Sequence, residues 1–321
     1  MNSIIYKIKD LAVIIPTKDR PVQVKRHLQS LVEQQCTLGR VILVASGQDI
    51  KDIVMAFKNV LPVEYHHCDQ GQIKQRNLGI SLLDDSTKLV ATMDDDVTYL
   101  DDAILKMIEF WNGAQPDTGG VGFNISNLPP NNHNYYLNLL GFSASESGRV
   151  LKSGFNTSIS NVEKDVKVEW LNGGATVWRQ DVLMNNQHKE LNLKWAVCED
   201  LIYSYPLSKQ YSLYICSAAK VEIEEVVMNS EPREFYIDRG RYIYLMGLYF
   251  ILQNKDLSLT GFIIKNFLYL ISLFVKGTLF IDTNRYYLAI GIIRAFFSSR
   301  SFLLGFQSDD LFKSKFIDLA N

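Results

Sequence analysis

The sequence predicts an α/β fold, a mostly parallel β-sheet with helices on both faces, followed by an apolar helical region. Three observations carry this. Short β-branched runs alternate with segments of helical period over the first part of the chain, the pattern of βαβ units. One such run ends abruptly in three carboxylates, Asp94, Asp95 and Asp96, at the strand tip, which is the edge where open α/β sheets bind ligands. From Arg239 onward the chain turns apolar and basic, with ten Lys/Arg against five Asp/Glu, a net of +5 within an overall −2. The 321 residues are ample for one large domain or two. We divide them into an α/β domain over 1–235 and a helical region over 236–321 that is a candidate for membrane association. The near-neutral net charge gives no reason to expect nucleic acid as a partner.

Residues 11–15 are a β-branched run closed by Pro16-Thr17, a first buried strand. Pro21 suits the first turn of a helix, and Val24, Leu28, Leu31 and Val32 continue it at helical spacing. Residues 41–45 read as a second strand with a Ser46-Gly47 turn, 50–57 as a helix, and 63–66 as a third strand. A helix with Ile73, Leu78, Ile80 and Leu82 follows, weakened by Gly79. Val90, Ala91 and Met93 form the central strand that runs into the three aspartates, and a helix extends to about Trp111. The Asn/Pro/Ser-rich passage 124–160 reads as loops and an irregular hairpin over the ligand edge. A strand at 167–171 leads into Asn172-Gly173-Gly174, a helix begins near Val182, and another near Glu199, after Trp195 and Cys198. Three apolar segments, 242–252, 262–281 and 286–297, close the chain. Lys265, Asn266, Lys276 and Arg294 interrupt them, so interfacial helices suit them better than a clean membrane span. A helical subdomain packed on the sheet is the other reading.

The aspartate run is the most informative chemistry. At about 5 Å and an effective dielectric of about 20, each pair of carboxylates repels by about 3 kcal/mol. Solvent, basic side chains or a hard divalent cation must offset this; a solvated acidic turn is the plain alternative. Cys36, Cys68, Cys198 and Cys216 are widely spaced, which argues against a zinc site or disulfide framework and for reduced thiols in a cytosolic protein. His66-His67 lacks a third ligand nearby and reads as structural. No secretion leader is expected.

Five pieces in order resemble the family 2 glycosyltransferases with the GT-A fold, over roughly residues 11–208. They are Ile14-Ile15-Pro16-Thr17-Lys18-Asp19-Arg20-Pro21, Gln75-Arg76-Asn77-Leu78-Gly79, Met93-Asp94-Asp95-Asp96-Val97, Gly173-Gly174 with Arg179, and Glu199-Asp200. The resemblance implies an inverting glycosyltransferase that uses a nucleotide-diphosphate sugar, most simply a UDP sugar, and Mn²⁺ or Mg²⁺. It implies Asp200 as general base. It places Pro16, Thr17, Arg20, Ser46, Arg76, Asp94 and Asp95 around the nucleotide and donor, and Asp96 with Asp94 on the metal. Gly173, Gly174 and Glu199 fall on the donor-sugar and acceptor side. The implied acceptor is a saccharide or lipid-linked glycan, with Arg239 and Arg241 as candidates for a lipid-linked phosphate or as plain flanks of an interfacial helix. The implied location is the cytoplasm, at the inner face of the cell membrane. One departure stands out: where the family's second strand ends in an acidic residue, this chain has Ser46, with Asp49 a little later.

Two other readings compete. Asp94-Asp95-Asp96-Val97-Thr98 also fits the Asp-x-Asp-x-Thr motif of haloacid-dehalogenase-type phosphatases, with Asp94 as nucleophile, although that motif normally ends the first strand. A non-catalytic nucleotide- or glycan-binding protein is the third.

Overall fold

The computed structural model describes residues 5–132, 138, 143–189, 197–224 and 231–303; Trp195 and part of the 124–160 passage lie outside these. Strands β1 (Leu11–Lys18), β2 (Arg40–Ser46), β3 (Val63–His67) and β4 (Leu89–Met93) alternate with helices α1 (Pro21–Glu33), α2 (Lys51–Met55) and α3 (Gln72–Ser81). They pair in parallel in the order β3-β2-β1-β4, with Ile14 opposite Ile42 on one side and Thr92 on the other. This half follows the sequence expectation closely, apart from a shorter α2.

The second half corrects the expectation of a mostly parallel sheet. After the short β5 (Val97–Tyr99) and helix α4 (Ala103–Gly113) come β6 (Thr118–Ile125), β7 (Val166–Val168), β8 (Ala175–Arg179) and β9 (Ser212–Ile223). β8 runs antiparallel to β4 and to β6, while β5 and β7 run antiparallel to β9. Only β6 and β9 are parallel there. The nine-stranded sheet is therefore mixed. It curls: β5, at the far end of the strand order, returns against α1, where His27 Nδ1 meets the Val97 carbonyl at 2.7 Å. The hairpin expected in the 124–160 passage is present as a bridge between Val150 and Asn156.

Strand alternation sets the two core layers. Leu11, Val13 and Ile15 face Val24, Leu28 and Leu31 of α1 and Met107 and Trp111 of α4. Ile14, Ile42 and Val44 face Ile80 of α3 together with Trp178 and Leu183. Each such buried aliphatic side chain contributes roughly 1.5–3 kcal/mol.

Helices α5 (Gln180–Asn185) and α6 (Glu199–Ser208) follow β8, and β9 leads to three long helices, α7 (Arg233–Gln253), α8 (Leu259–Leu279) and α9 (Thr283–Leu303). These three share a core that also takes in Val197, Cys198 and Ile202. Tyr205 and Lys209 reach Asp256 at 2.6 and 2.9 Å, and Ser258 N–H donates to the Lys152 carbonyl at 2.7 Å. The C-terminal helices thus pack on the α6 segment and on the 143–160 loop. A Cβ on Gly240 would strike the Leu288 carbonyl and one on Gly291 the Ile237 carbonyl, so these glycines let α7 and α9 cross in close contact. The outer face of α8 is apolar and open: Ile264, Phe267, Ile271, Val275 and Leu279 are exposed, and Phe280 and Ile281 continue the patch. By length and composition α8 could cross a membrane.

Gly79 explains itself here. A Cβ at this position would lie 2.5 Å from Ile14 Cγ2, in the layer where α3 rests on β1. Gly79→Ala is expected to destabilise the protein by about 1–3 kcal/mol through overpacking, against the usual helix preference for alanine. A lowered urea midpoint at unchanged m-value is the readout; a raised midpoint would show that the close approach is unimportant.

Candidate active site

β4 ends at the aspartates, and the three diverge. The Asp95 side chain turns inward and is 4% exposed. Its Oδ2 accepts from Thr17 Oγ1 at 2.5 Å and its Oδ1 from Arg20 Nη1 at 2.7 Å. Burial pushes its carboxyl up to about 6, against the pull of Thr17 and Arg20. Asp96 Oδ2 shares Arg20, at 3.1 Å from both Nη1 and Nη2. Burial and the Asp94 charge raise its carboxyl. Asp94 faces the opposite way: its Oδ1 accepts from Gln72 Nε2 and Arg76 Nη2, each at 3.1 Å. Two basic side chains, each arriving from the helical side of an α/β unit, therefore offset much of the repulsion in the run.

Arg76 joins this strand tip to a second acidic group. It is 1% exposed, and its Nη1 donates to Glu199 Oε1 at 3.0 Å. Burial opposes its charge, but Glu199, Asp94 and Asp200 more than offset this and hold it firmly protonated. Glu199 and Asp200 form the first turn of α6, whose N-terminus favours anions. Cys198 before them takes φ +60, a left-handed turn that is rare for a side-chain-bearing residue and marks a constrained site. Burial raises the Glu199 carboxyl. It pushes Asp200 up to about 7, with the charges of Glu199 and Asp94 adding to the rise while Arg76 and the Gly173 amide oppose it. Glu199 Oε2 is buried without a hydrogen-bond partner.

The Gly173-Gly174 step lies between the two acidic groups and has no room for side chains. A Cβ on Gly173 would overlap Asp200 Oδ1 and press on Arg76 Nη1; one on Gly174 would overlap the Asp94 carboxylate. The Gly174 carbonyl accepts the Asp94 amide at 2.8 Å, so β8 fixes the aspartate by main chain as well.

The other sequence candidates sit around this centre. Pro16 and Thr17 lie in the last turn of β1, both buried. Ser46 ends β2 and is buried, its Oγ turned to Gln75 Oε1 at 3.5 Å. Asp49 accepts from Tyr65 Oη at 2.7 Å and Lys51 N–H at 2.9 Å, which hold its carboxyl below the usual range. His66 pairs with Glu64, and His67 Nε2 meets the Gly47 carbonyl. Three residues escaped the sequence reading. Gln72 stands four residues before Arg76 on one helix face, a spacing that could have paired them on Asp94. Gln75 Nε2 ties the Thr17 and Val44 carbonyls at 2.6 and 2.7 Å. Asp19 Oδ1 accepts the Gln48 amide at 2.7 Å, which stitches the loops after β1 and β2; both Gln75 and Asp19 stand inside the motif pieces but were given no role there.

A divalent ion suits the donor set. Hard cations such as Mg²⁺ take one or two carboxylates together with substrate phosphates. After the bonds to Arg20, Gln72 and Arg76, each of Asp94 and Asp96 keeps a second carboxylate oxygen outside those bonds. Among the described residues, no set of three or more His, Cys, Asp or Glu side chains stands at metal-binding spacing.

Residues 12–160 match the family model described as "Glycosyl transferase family 2". That stretch, a little under half of the chain, is similar to a glycosyl transferase family 2 domain, and the match supports a glycosyltransferase. A search of curated proteins finds no match. The fold is similar to that of S. aureus TarS residues 1–349 (TM-score 0.50, 15% identity, covering 94% of this chain and 76% of that one). It is also similar to the mannosyltransferase PcManGT from Pyrobaculum calidifontis, solved with GDP-Man and Mn²⁺ (0.51, 13%, 89% and 86%). A third likeness is to GalNAc-T7, solved with UDP, GalNAc and Mn²⁺ (0.52, 11%, 73% and 50%). At these identities the likeness is one of fold, the GT-A architecture. The phosphatase reading loses its footing, because the aspartate run ends the fourth strand of this sheet and not the first.

The raised Asp200 carboxyl makes a stability prediction. Between about pH 4, where an unfolded aspartate titrates, and about 7, the folded chain holds a proton that the unfolded chain has lost. Stability from this group is therefore present at low pH and lost as pH rises through that window. Asp200→Asn removes the loss, so its melting temperature relative to wild type should rise from pH 5 to pH 8. An unchanged difference across that range would contradict the raised value.

Proposed function

We propose that the protein transfers a sugar from a nucleoside-diphosphate donor to a hydroxyl of a saccharide or lipid-linked glycan, with inversion at the anomeric carbon. The observation that carries this reading is the convergence of Asp94, at the β4 tip, and the Glu199-Asp200 pair on one buried arginine, with two glycines between them. A UDP donor is our first choice; the similar folds solved with UDP and with GDP-Man make those two nucleotides the ones to compare.

In this reading the nucleotide lies over Pro16, Thr17, Arg20 and Ser46, at the ends of β1 and β2. Asp95, held by Thr17 and Arg20, keeps that loop in shape. Asp96 and Asp94 would hold Mn²⁺ or Mg²⁺, which supplies Lewis-acid stabilisation of the diphosphate as it leaves. Glu199 Oε2, lacking a partner, accepts a hydrogen bond from the acceptor. Asp200 takes the proton of the attacking hydroxyl. The new bond forms between that oxygen and the anomeric carbon, and the bond to the diphosphate oxygen breaks with its electron pair going to the diphosphate. With its carboxyl near 7, Asp200 is matched to proton transfer at neutral pH.

Asp200→Asn is expected to retain nucleotide binding and lose about 10²–10⁴-fold in turnover, and wild-type kcat/KM should climb with pH through about 7. UDP or GDP with Mn²⁺ should raise the melting temperature, by about 2.7 kcal/mol of added stability at 100 times Kd, and Asp96→Ala should abolish the metal-dependent part. Wild-type turnover by Asp200→Asn, or no shift with any nucleotide, would defeat the assignment.

We also propose that the outer face of α8 rests on the cytoplasmic leaflet of the cell membrane. Its exposed apolar row and the net basic C-terminal region support contact with anionic lipid. Phe267→Glu with Ile271→Glu should abolish sedimentation with phosphatidylglycerol vesicles; undiminished binding would discard this face.

A further inference from the structure

Arg76 spans two sides of the site that the proposed reaction uses for different substrates. Nη2 holds Asp94, on the donor side, at 3.1 Å, and Nη1 holds Glu199, on the acceptor side, at 3.0 Å. Its Nε is buried and makes no hydrogen bond, so the guanidinium is held only through its two ends. The Gly173 backbone lies close against it: a Cβ there would come within 3.0 Å of Nη1. One buried cation is thus shared by two carboxylates 105 residues apart in the chain, and whatever weakens its hold on one strengthens its hold on the other. Buried charge pairs respond strongly to such changes, since an unpaired partner is costly.

We propose that Arg76 is a positioning residue that couples the donor edge to the acceptor acids. Engagement of Asp94 by a bound donor releases part of the guanidinium to Glu199, and engagement of Glu199 by an acceptor releases part of it to Asp94. Coupling of this kind is reciprocal, so it can be read from the donor side alone, with no acceptor present. The inference rests on the donor-site reading above.

The experiment is isothermal titration of UDP and GDP, each with Mn²⁺, into the full chain. Glu199→Gln keeps the shape and one hydrogen bond but removes the charge, which leaves Asp94 as the carboxylate that Arg76 depends on, so a donor that engages Asp94 would strand the buried guanidinium. It should weaken nucleotide binding about fivefold or more, within the usual range of coupling; tightening instead would be a plain field effect and would overturn the coupling. In an Arg76→Met background the same change should alter Kd less than about twofold. Arg76→Lys, a single ammonium that cannot fork between two carboxylates, should behave like Arg76→Met and serves if the methionine variant does not fold. An equal effect of Glu199→Gln with and without Arg76 would be a plain field effect and would overturn the coupling, as would no effect in the wild-type background. Failure of the wild-type protein to bind either nucleotide overturns the donor-site reading and this inference with it.

Discussion

The buried guanidinium of Arg76 is the constraint around which the site is arranged. A charge that is 1% exposed persists only if carboxylates meet it closely. Two elements must deliver them, the β4 tip and the start of α6. Each has to come within about 3 Å, so the backbone between them cannot carry side chains, and Gly173 and Gly174 follow. The helix bearing Arg76 must itself lie close on β1, and Gly79 against Ile14 allows it. Three glycines in two separate motifs are thus explained by one ion pair and its geometry. The same arrangement sets the proton affinity of Asp200. Burial raises both the Glu199 and the Asp200 carboxyls, and the one cation facing them only partly opposes it, so Asp200 is pushed up to about 7.

The three aspartates are therefore not equivalent, although they look so in the sequence. Asp95 is spent on Thr17 and Arg20 and serves as a strut between β1 and β4. Asp94 belongs to the arginine on α3. Asp96 shares Arg20 but keeps an oxygen outside that contact. The run leaves β4 in a turn at Asp95 and Asp96, which carries these two toward Arg20 and leaves Asp94 on the side of Arg76.

Much of the parallel half could be read directly. β1, β2 and β4 are buried on both faces, so they appear as apolar runs, and Pro16, Pro21 and Gly47 punctuate them. The antiparallel half could not be read this way. β6 carries Gly119, Gly120 and Gly122, which give space to Tyr211, Trp178 and Ile215 and dilute the strand signal. β8 follows the Gly-Gly step so closely that its Ala-Thr-Val-Trp run is hidden by the motif. At the site, each cluster of acids was visible, but the pairing of Arg76 with Glu199 was not, because 123 residues separate them and only the sheet order brings them together. Ser46 was visible at its strand end, but the turn of its hydroxyl toward Gln75 was not, because 29 residues separate the two.

The C-terminal helices matter to the site through one wall of it. Their core takes in Val197, Cys198 and Ile202, the residues on either side of Glu199 and Asp200. The left-handed turn at Cys198 that aims the two acids is packed from behind by this core, and Lys265 of α8 lies close enough to act on the Cys198 thiol. Tyr205 and Lys209 then tie the far end of α6 to Asp256, and Ser258 ties the same connection to the 143–160 loop. α8 contributes Phe262 and Leu273 to the same core, so its inner face shares packing with the segment that carries the proposed base. An apolar region that only anchored the enzyme would need no such contacts. One that also forms the back of the acceptor side must keep α6 in register, and its packing does so.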